Sequence, residues 1–499
     1  MDAIYFYIPL ALLALVAARA TLRSPLEKEF QKIQIPWINA LSLSNPVAQL
    51  VKEGYQKFNK LQKPFLISYW AHDYLVLPLK YLTDIRLADK AHLSVNHAIS
   101  DVFFLWSWNK DLFQGGRLPM MVTKGLNPNL VKATDMLMSE ANYSFNTELG
   151  DGKGPVPAMV MIQNLTFRTV NPVIFGKELA RNDEMLKAAQ SLFTWNFLNG
   201  LMLLKLPLGP FRDIVGWPLY HLQRRRLRTI TNIMAPVIDK RLQERGLGTQ
   251  DKATVDGISC TLDLLDEYPL NQSSPPSYQI GNELMQNYQA ATLNPASIIT
   301  QMIFQILEQP KYLDPLRKEA EQAIARHGWS EKIINELRLQ DSFIRETGRV
   351  YPLASLQAQR QVMGKPFTFS DGLTLPTGTR LAFPTAGQHD PDISGATLNF
   401  DGFRYAQLAE AEKDSEDGVN VSSAVHADPS YLSFGYGNHI CPGRFLGVRT
   451  VKIIFTKLIL EYDITWDYEG LGQPARFEIE GFTLPNVNQR ASFQKRNLT

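Results

Sequence analysis

The sequence predicts one mainly α-helical domain with small peripheral β sheets, and three observations predict it. From about residue 88 to residue 340, apolar residues recur at helical spacing in successive amphipathic stretches broken by Gly and Pro clusters. Runs that alternate apolar and polar residues between turn formers fall in three places, about 63–87, 366–384 and 462–493. The 499 residues contain no internal repeat or low-complexity tract, and no linker divides residues 40–499.

Ala3 to Ala18 carry no charge and are followed by Arg19, Arg23 and Lys28. A spanning helix needs about 20 mostly apolar residues, so residues 1–20 are expected to form a short membrane anchor. Residues 21–39, with Pro25 and Pro36, read as a linker, and 40–499 as the globular domain. Basic residues after the span place that domain on the cytosolic side. The competing reading is a cleaved secretory signal ending at Ala18-Arg19-Ala20; Asp2 and the lack of a basic start oppose it. Residues 63–87 read as a hairpin or small sheet, and Ser277 to about Glu308 as a long helix. Phe367-Thr368-Phe369 and Leu373-Thr374-Leu375, joined by Ser370-Asp371-Gly372, read as two short strands. A last strand pair is expected between Tyr462 and Phe493. Arg224-Arg225-Arg226-Leu227-Arg228, the densest charge run, reads as a solvated helix face.

Hydrophobic residues at 45% and charged residues at 20% describe an ordinary globular chain. A formal charge of +2 argues against a nucleic-acid partner. Two cysteines exclude a disulfide framework and fit a reducing compartment. Cys260 has no turn chemistry around it and reads as a small core residue. Cys441 stands in Phe434-Gly435-Tyr436-Gly437-Asn438-His439-Ile440-Cys441-Pro442-Gly443-Arg444, just ahead of an apolar-periodic helix. There the helix N-terminus and the turn amides offer partial positive charge to a sulfur anion, which lowers a thiol's pKa. The glycines let the backbone approach a flat cofactor where a Cβ would collide.

This loop resembles the cysteine-ligand loop of the cytochrome P-450 family, with Phe434, Gly437, His439, Cys441 and Gly443 filling its pattern. The resemblance implies the cytochrome P-450 fold, haem b as cofactor and Cys441 as the thiolate ligand of the iron. Glu346-Thr347-Gly348-Arg349 puts a carboxylate and a guanidinium on one helix face. Together with Arg404 these match the family's buried charge network, whose role is structural. By the same resemblance His439 and Arg360 are placed to hold haem propionates. Lys124 is a weaker candidate, because the usual Trp-X-X-X-Arg signature is absent. Arg449 and Lys452, after the ligand, read either as a solvated face or as a docking surface for an acidic electron donor.

One departure stands out. The family's long central helix carries an acid followed by Thr, which relay protons. At those positions this chain has Asn294 and Pro295. Asn does not titrate, and proline has neither hydroxyl nor N–H. Thr292 is the nearest hydroxyl that could substitute. In Asp401-Gly402-Phe403-Arg404-Tyr405, the run Cys441 to Gly447 and Glu461-Tyr462-Asp463, the chain resembles membrane-bound fungal enzymes of secondary metabolism. The likeness implies oxidation of an apolar terpenoid, alkaloid or polyketide with O₂ and NADPH-derived electrons. The implied partners are a membrane-bound NADPH–cytochrome P-450 reductase and cytochrome b5, in the endoplasmic reticulum membrane with a single pass. The alternatives are an atypical desaturase, ring-forming enzyme or isomerase, or a haem-binding protein without turnover.

Overall fold

The computed structural model describes residues 25–33, 47–69, 72–99, 116–205, 212–251, 253–272, 274–395, 398–411, 423–467 and 476–497. The expected anchor lies outside the described residues. Among those that are described, no helix is long and apolar enough to cross a membrane.

Nine helices longer than ten residues are described: α1 Val47–Lys57, α2 Leu130–Glu148, α3 Ala158–Phe175, α4 Asp183–Lys205, α5 Arg212–Gly246, α6 Pro276–Glu308, α7 Leu313–His327, α8 Arg338–Val350 and α9 Arg444–Glu461. α6 runs through the middle. Ile299, Met302 and Ile303 of α6 are fully buried with Ile162 of α3 and Ile454, Phe455 and Leu458 of α9. Each such side chain contributes about 1.5–3 kcal/mol through burial. Most of α6 is buried, so it is an interior helix, and it holds the cysteine helix α9 in place.

Among the described residues there are thirteen strands: β1 Lys32–Ile33, β2 Phe65–Tyr69, β3 His72–Val76, β4 Leu93–Ser94, β5 Gly152–Pro157, β6 Leu356–Val362, β7 Phe367–Thr368, β8 Thr374–Leu375, β9 Arg380–Pro384, β10 Tyr462–Trp466, β11 Arg476–Ile479, β12 Phe482–Pro485 and β13 Arg490–Lys495. The largest sheet has the order β1-β2-β3-β9-β6-β4. β2 and β3 form the expected hairpin, with Phe65 opposite Val76 and Tyr69 opposite His72. β6 pairs antiparallel with β9, with a register shift between Gln357 and Arg360. Ala358 takes φ +48° inside that shift. A bulge re-aims the side chains that follow it, and here it delivers Arg360 to the cysteine loop.

Two elements differ from expectation. β1 pairs parallel with Leu66–Ile67, so part of the 21–39 segment is integrated into the globular body rather than free. β5 interrupts a region read as wholly helical and pairs with β13. Its sequence Gly-Lys-Gly-Pro-Val-Pro has no strand pattern, because pairing by β13 rather than local propensity sets it.

Candidate active site

The Cys441 loop is built by backbone. Gly435 and Gly437 take φ +73° and +67°, values that suit residues without a Cβ. A Cβ on Gly437 would come 2.4 Å from the Arg86 carbonyl oxygen. The Cys441 N–H donates to the Phe434 carbonyl at 2.8 Å, and Arg444 Nη1 donates to the Cys441 carbonyl at 2.9 Å. Asn127 Nδ2, from the segment before α2, donates to the Pro442 carbonyl at 3.0 Å. A Cβ on Gly443 would stand 4.0 Å from the sulfur, so the glycine leaves the flank of Cys441 open.

Burial pushes the Cys441 thiol above its ordinary value, against the opposing pull of the Gly443 and Arg444 amides and the Arg444 charge. The amides pull in the direction expected of the helix start and the turn, but desolvation outweighs them. Without a cation the thiol is inert, and a bound metal ion removes its proton outright. Cys260 is buried and pushed up to about 12, also by desolvation.

The charge network assembles behind this loop. Glu346 and Arg349 on α8 are both fully buried, and Arg349 Nε and Nη2 each donate to the carboxylate at 2.8 Å. The Asp401 N–H donates to Glu346 at 2.9 Å, and Arg404 Nε approaches it at 3.4 Å. α8 reaches the cysteine loop through Gly348. Its missing Cβ makes room for the Tyr431 hydroxyl, which would lie 2.4 Å away, and its carbonyl accepts from Ser433 Oγ at 3.2 Å. Arg345, absent from the sequence reading, pairs with Asp428 and lies 4.5 Å and 4.6 Å from the ring centres of Tyr405 and Tyr431. Its only sequence signal was its place in the same helix as Glu346.

Arg360 and His439 converge. Arg360 is 1% exposed, and Nη2 donates to the Tyr436 carbonyl at 3.0 Å. Its Nε and the Nε2 of His439 are buried without a partner. Desolvation, opposed by no carboxylate, pulls Arg360 down to about 10. Desolvation first, then the Arg360 charge, pulls His439 down to about 4. A buried guanidinium with no anion is costly, so the site is built for an acid group that the chain does not supply.

Lys124 does not join them. It is exposed and pairs with Glu267 at 2.5 Å. Lys452 is also corrected: it is buried, bonded to the Ile334 carbonyl at 2.7 Å and Asp341 at 2.8 Å. Arg449 pairs with Glu331 at 3.1 Å. Both cations serve internal packing rather than forming a solvated or docking face.

On α6, Pro295 is buried and its Cγ lies 4.0 Å from where a Cβ on Gly447 of α9 would be. Asn294 is exposed beside it. Thr292 is buried, and its hydroxyl donates to the Tyr288 carbonyl at 2.7 Å. The helix remains regular on both sides of Pro295, although the Ala291 carbonyl has lost the N–H it would normally accept.

Among the described residues, no three His, Cys, Asp or Glu side chains cluster as a metal site. A lone cysteine sulfur, an open flank beside it, and an orphaned guanidinium and imidazole nitrogen suit a planar metallocofactor that brings its own nitrogens and acid groups. Fold and site together define a haem-thiolate protein. The chain belongs to the cytochrome P-450 family, whose model matches residues 120–493. It is 37% identical to cytochrome P-450 monooxygenase sirB of Leptosphaeria maculans, over 89% of this chain and 85% of that protein. It is 26% identical to cytochrome P-450 monooxygenase ntnM of Nectria sp, over 90% and 87%. Against the ent-kaurene oxidase of Fusarium fujikuroi it is 24% identical, over 97% and 90%.

The orphaned arginine gives a two-sided expectation. Arg360→Met removes an uncompensated buried charge, so the haem-free chain should be more stable, by about 1–3 kcal/mol. The same change should weaken haem retention. Denaturant unfolding of the haem-free protein and the rate of haem transfer to apomyoglobin measure the two effects. Both moving in one direction would contradict an anion-binding role.

Proposed function

We propose that this protein is a monooxygenase that inserts one atom of O₂ into an apolar secondary metabolite, a terpenoid, alkaloid or polyketide. In this reading its electrons come from NADPH through a cytochrome P-450 reductase, with cytochrome b5 as a second donor. The proposed location is the endoplasmic reticulum membrane, with the catalytic domain facing the cytosol. The observation that carries the reading is the half-buried Cys441 in the loop where Arg360 Nε and His439 Nε2 are buried without a partner. A monooxygenase similar over most of the chain supports it, and an ent-kaurene oxidase among its relatives supports a terpenoid.

When bound, haem supplies the oxygen chemistry, with thiolate electron density favouring O–O cleavage. The chain's part is to hold and orient. Cys441 provides the single protein ligand, and Arg360 and His439 hold the acid groups. The Glu346–Arg349–Arg404 network and Gly348 keep the loop rigid. Asn294 faces the open side of α6 and can hold a water but cannot give it a proton. The Ala291 carbonyl, left without its N–H, is a second acceptor for that water.

A second reading is favoured by one observation: Asn294 and Pro295 offer no titratable group, and the hydroxyl of Thr292 donates to its own helix. Desaturation, ring closure or isomerisation would need less proton delivery. Membranes carrying the protein and reductase, fed the metabolite that accumulates when the gene is absent, decide between them. Monooxygenation predicts an NADPH-dependent product heavier by one oxygen. A product lighter by two hydrogens, or an isomer formed without NADPH, would establish the second reading. Under the first reading, Asn294→Asp with Pro295→Thr should raise the product formed per NADPH consumed. NADPH oxidation continuing while product collapses would show that the native pair is part of the mechanism.

A further inference from the structure

A small crevice lies between α4, α5 and α6. It holds about 10 Å³ of free volume and is lined by polar groups of Asn196, Gln223, Arg224 and Gln286, between the apolar Leu192 and Leu227. That is room for about one water or one end group of a larger molecule. Asn196 is 3% exposed, and its Oδ1 is buried with no partner. A buried acceptor left unpaired costs about 1–3 kcal/mol, so its retention in an otherwise closed helix interface needs an occupant. Arg224, which the sequence placed on a solvated face, is half-buried here and lines the crevice.

The crevice shares α6 with the reaction site. Gln286, Ala290 and Asn294 step along the helix at four-residue intervals. All three are at least partly exposed, whereas most of the helix is buried. At a rise of 1.5 Å per residue, Gln286 is roughly 12 Å along the axis from Asn294.

We propose that Asn196 is a specificity-determining residue: its carboxamide oxygen accepts a hydrogen bond from a hydroxyl or amide N–H at the end of the substrate remote from the oxidised carbon. This rests on the haem-thiolate reading and narrows its substrate. The substrate is an elongated molecule, apolar along its body, with a hydrogen-bond donor at the end remote from the iron. The missing group is a donor because the orphaned atom is an acceptor. An apolar end would leave Asn196 unpaired, and a carboxylate would face its oxygen.

The test uses 1-alkylimidazoles of increasing chain length, capped by hydroxyl, methyl or carboxylate, bound to the holoenzyme and read by the Soret shift. At one chain length the hydroxyl cap should bind about tenfold more tightly than methyl, the yield of one net hydrogen bond. In Asn196→Leu that preference should vanish while the methyl series binds at least as well. The wild-type length scan stands alone if the variant does not fold. No hydroxyl advantage at any length would mean that the crevice holds only a water, and would overturn the proposal. So would tighter binding of the carboxylate series, which would make Arg224 the reader, or a hydroxyl preference that survives in Asn196→Leu. A Soret that no imidazole shifts would instead overturn the haem reading beneath it.

Discussion

Cys441→Ala is expected to reduce turnover by more than about a hundredfold, since losing even an outer partner of a metal site costs 10–100-fold. Nothing else in the loop replaces the sulfur. His439 is the nearest nitrogen ligand by sequence, but its Nε2 is turned into a buried position beside Arg360. The fold should survive, because the residue's structural bond is the backbone N–H to Phe434, which alanine keeps. Far-ultraviolet circular dichroism should therefore match the wild type while turnover and haem content fall. Full turnover in the variant would remove Cys441 from the site.

Glu346→Ala should produce the largest stability loss among single changes in the charge network. The carboxylate receives both Arg349 nitrogens, the Asp401 amide and Arg404. Its removal strands a fully buried guanidinium, and breaking a buried pair from one side costs about 3–5 kcal/mol. That is a large share of the roughly 5–15 kcal/mol by which folded domains are stable. The double change Glu346→Leu with Arg349→Met removes both charges and should recover a substantial part of the loss. Denaturant midpoints of the three haem-free proteins measure this. A single-variant loss below about 1 kcal/mol would mean that the pair is solvated.

What could be read from the sequence was what is local. The Cys441 loop is one continuous stretch whose glycines, proline and following helix state its geometry directly. Glu346 and Arg349 are three residues apart on one helix, so their pairing needs no tertiary knowledge. The two outer hairpins were legible because alternation and turn residues coincide.

Contacts across long separations were not legible. Asn127 reaches the Pro442 carbonyl from 315 residues away, and no pattern near Asn127 announces it. Gly348 matters because Tyr431 approaches it, which helix periodicity cannot foresee. Lys452 looked like a surface cation because its burial depends on Asp341 and the Ile334 carbonyl, on elements distant in sequence. The acceptor at Asn196 was invisible for the same reason, since only the packing of three helices leaves it without a partner.

The central claim is a haem held by one cysteine thiolate. Its most direct test is the absorption difference spectrum of the purified full chain, reduced and exposed to carbon monoxide. Ligation by Cys441 predicts the strongly red-shifted Soret band of a thiolate-bound haem, absent from Cys441→Ala. A band typical of histidine ligation, no haem band at all, or an unchanged spectrum in Cys441→Ala would contradict it.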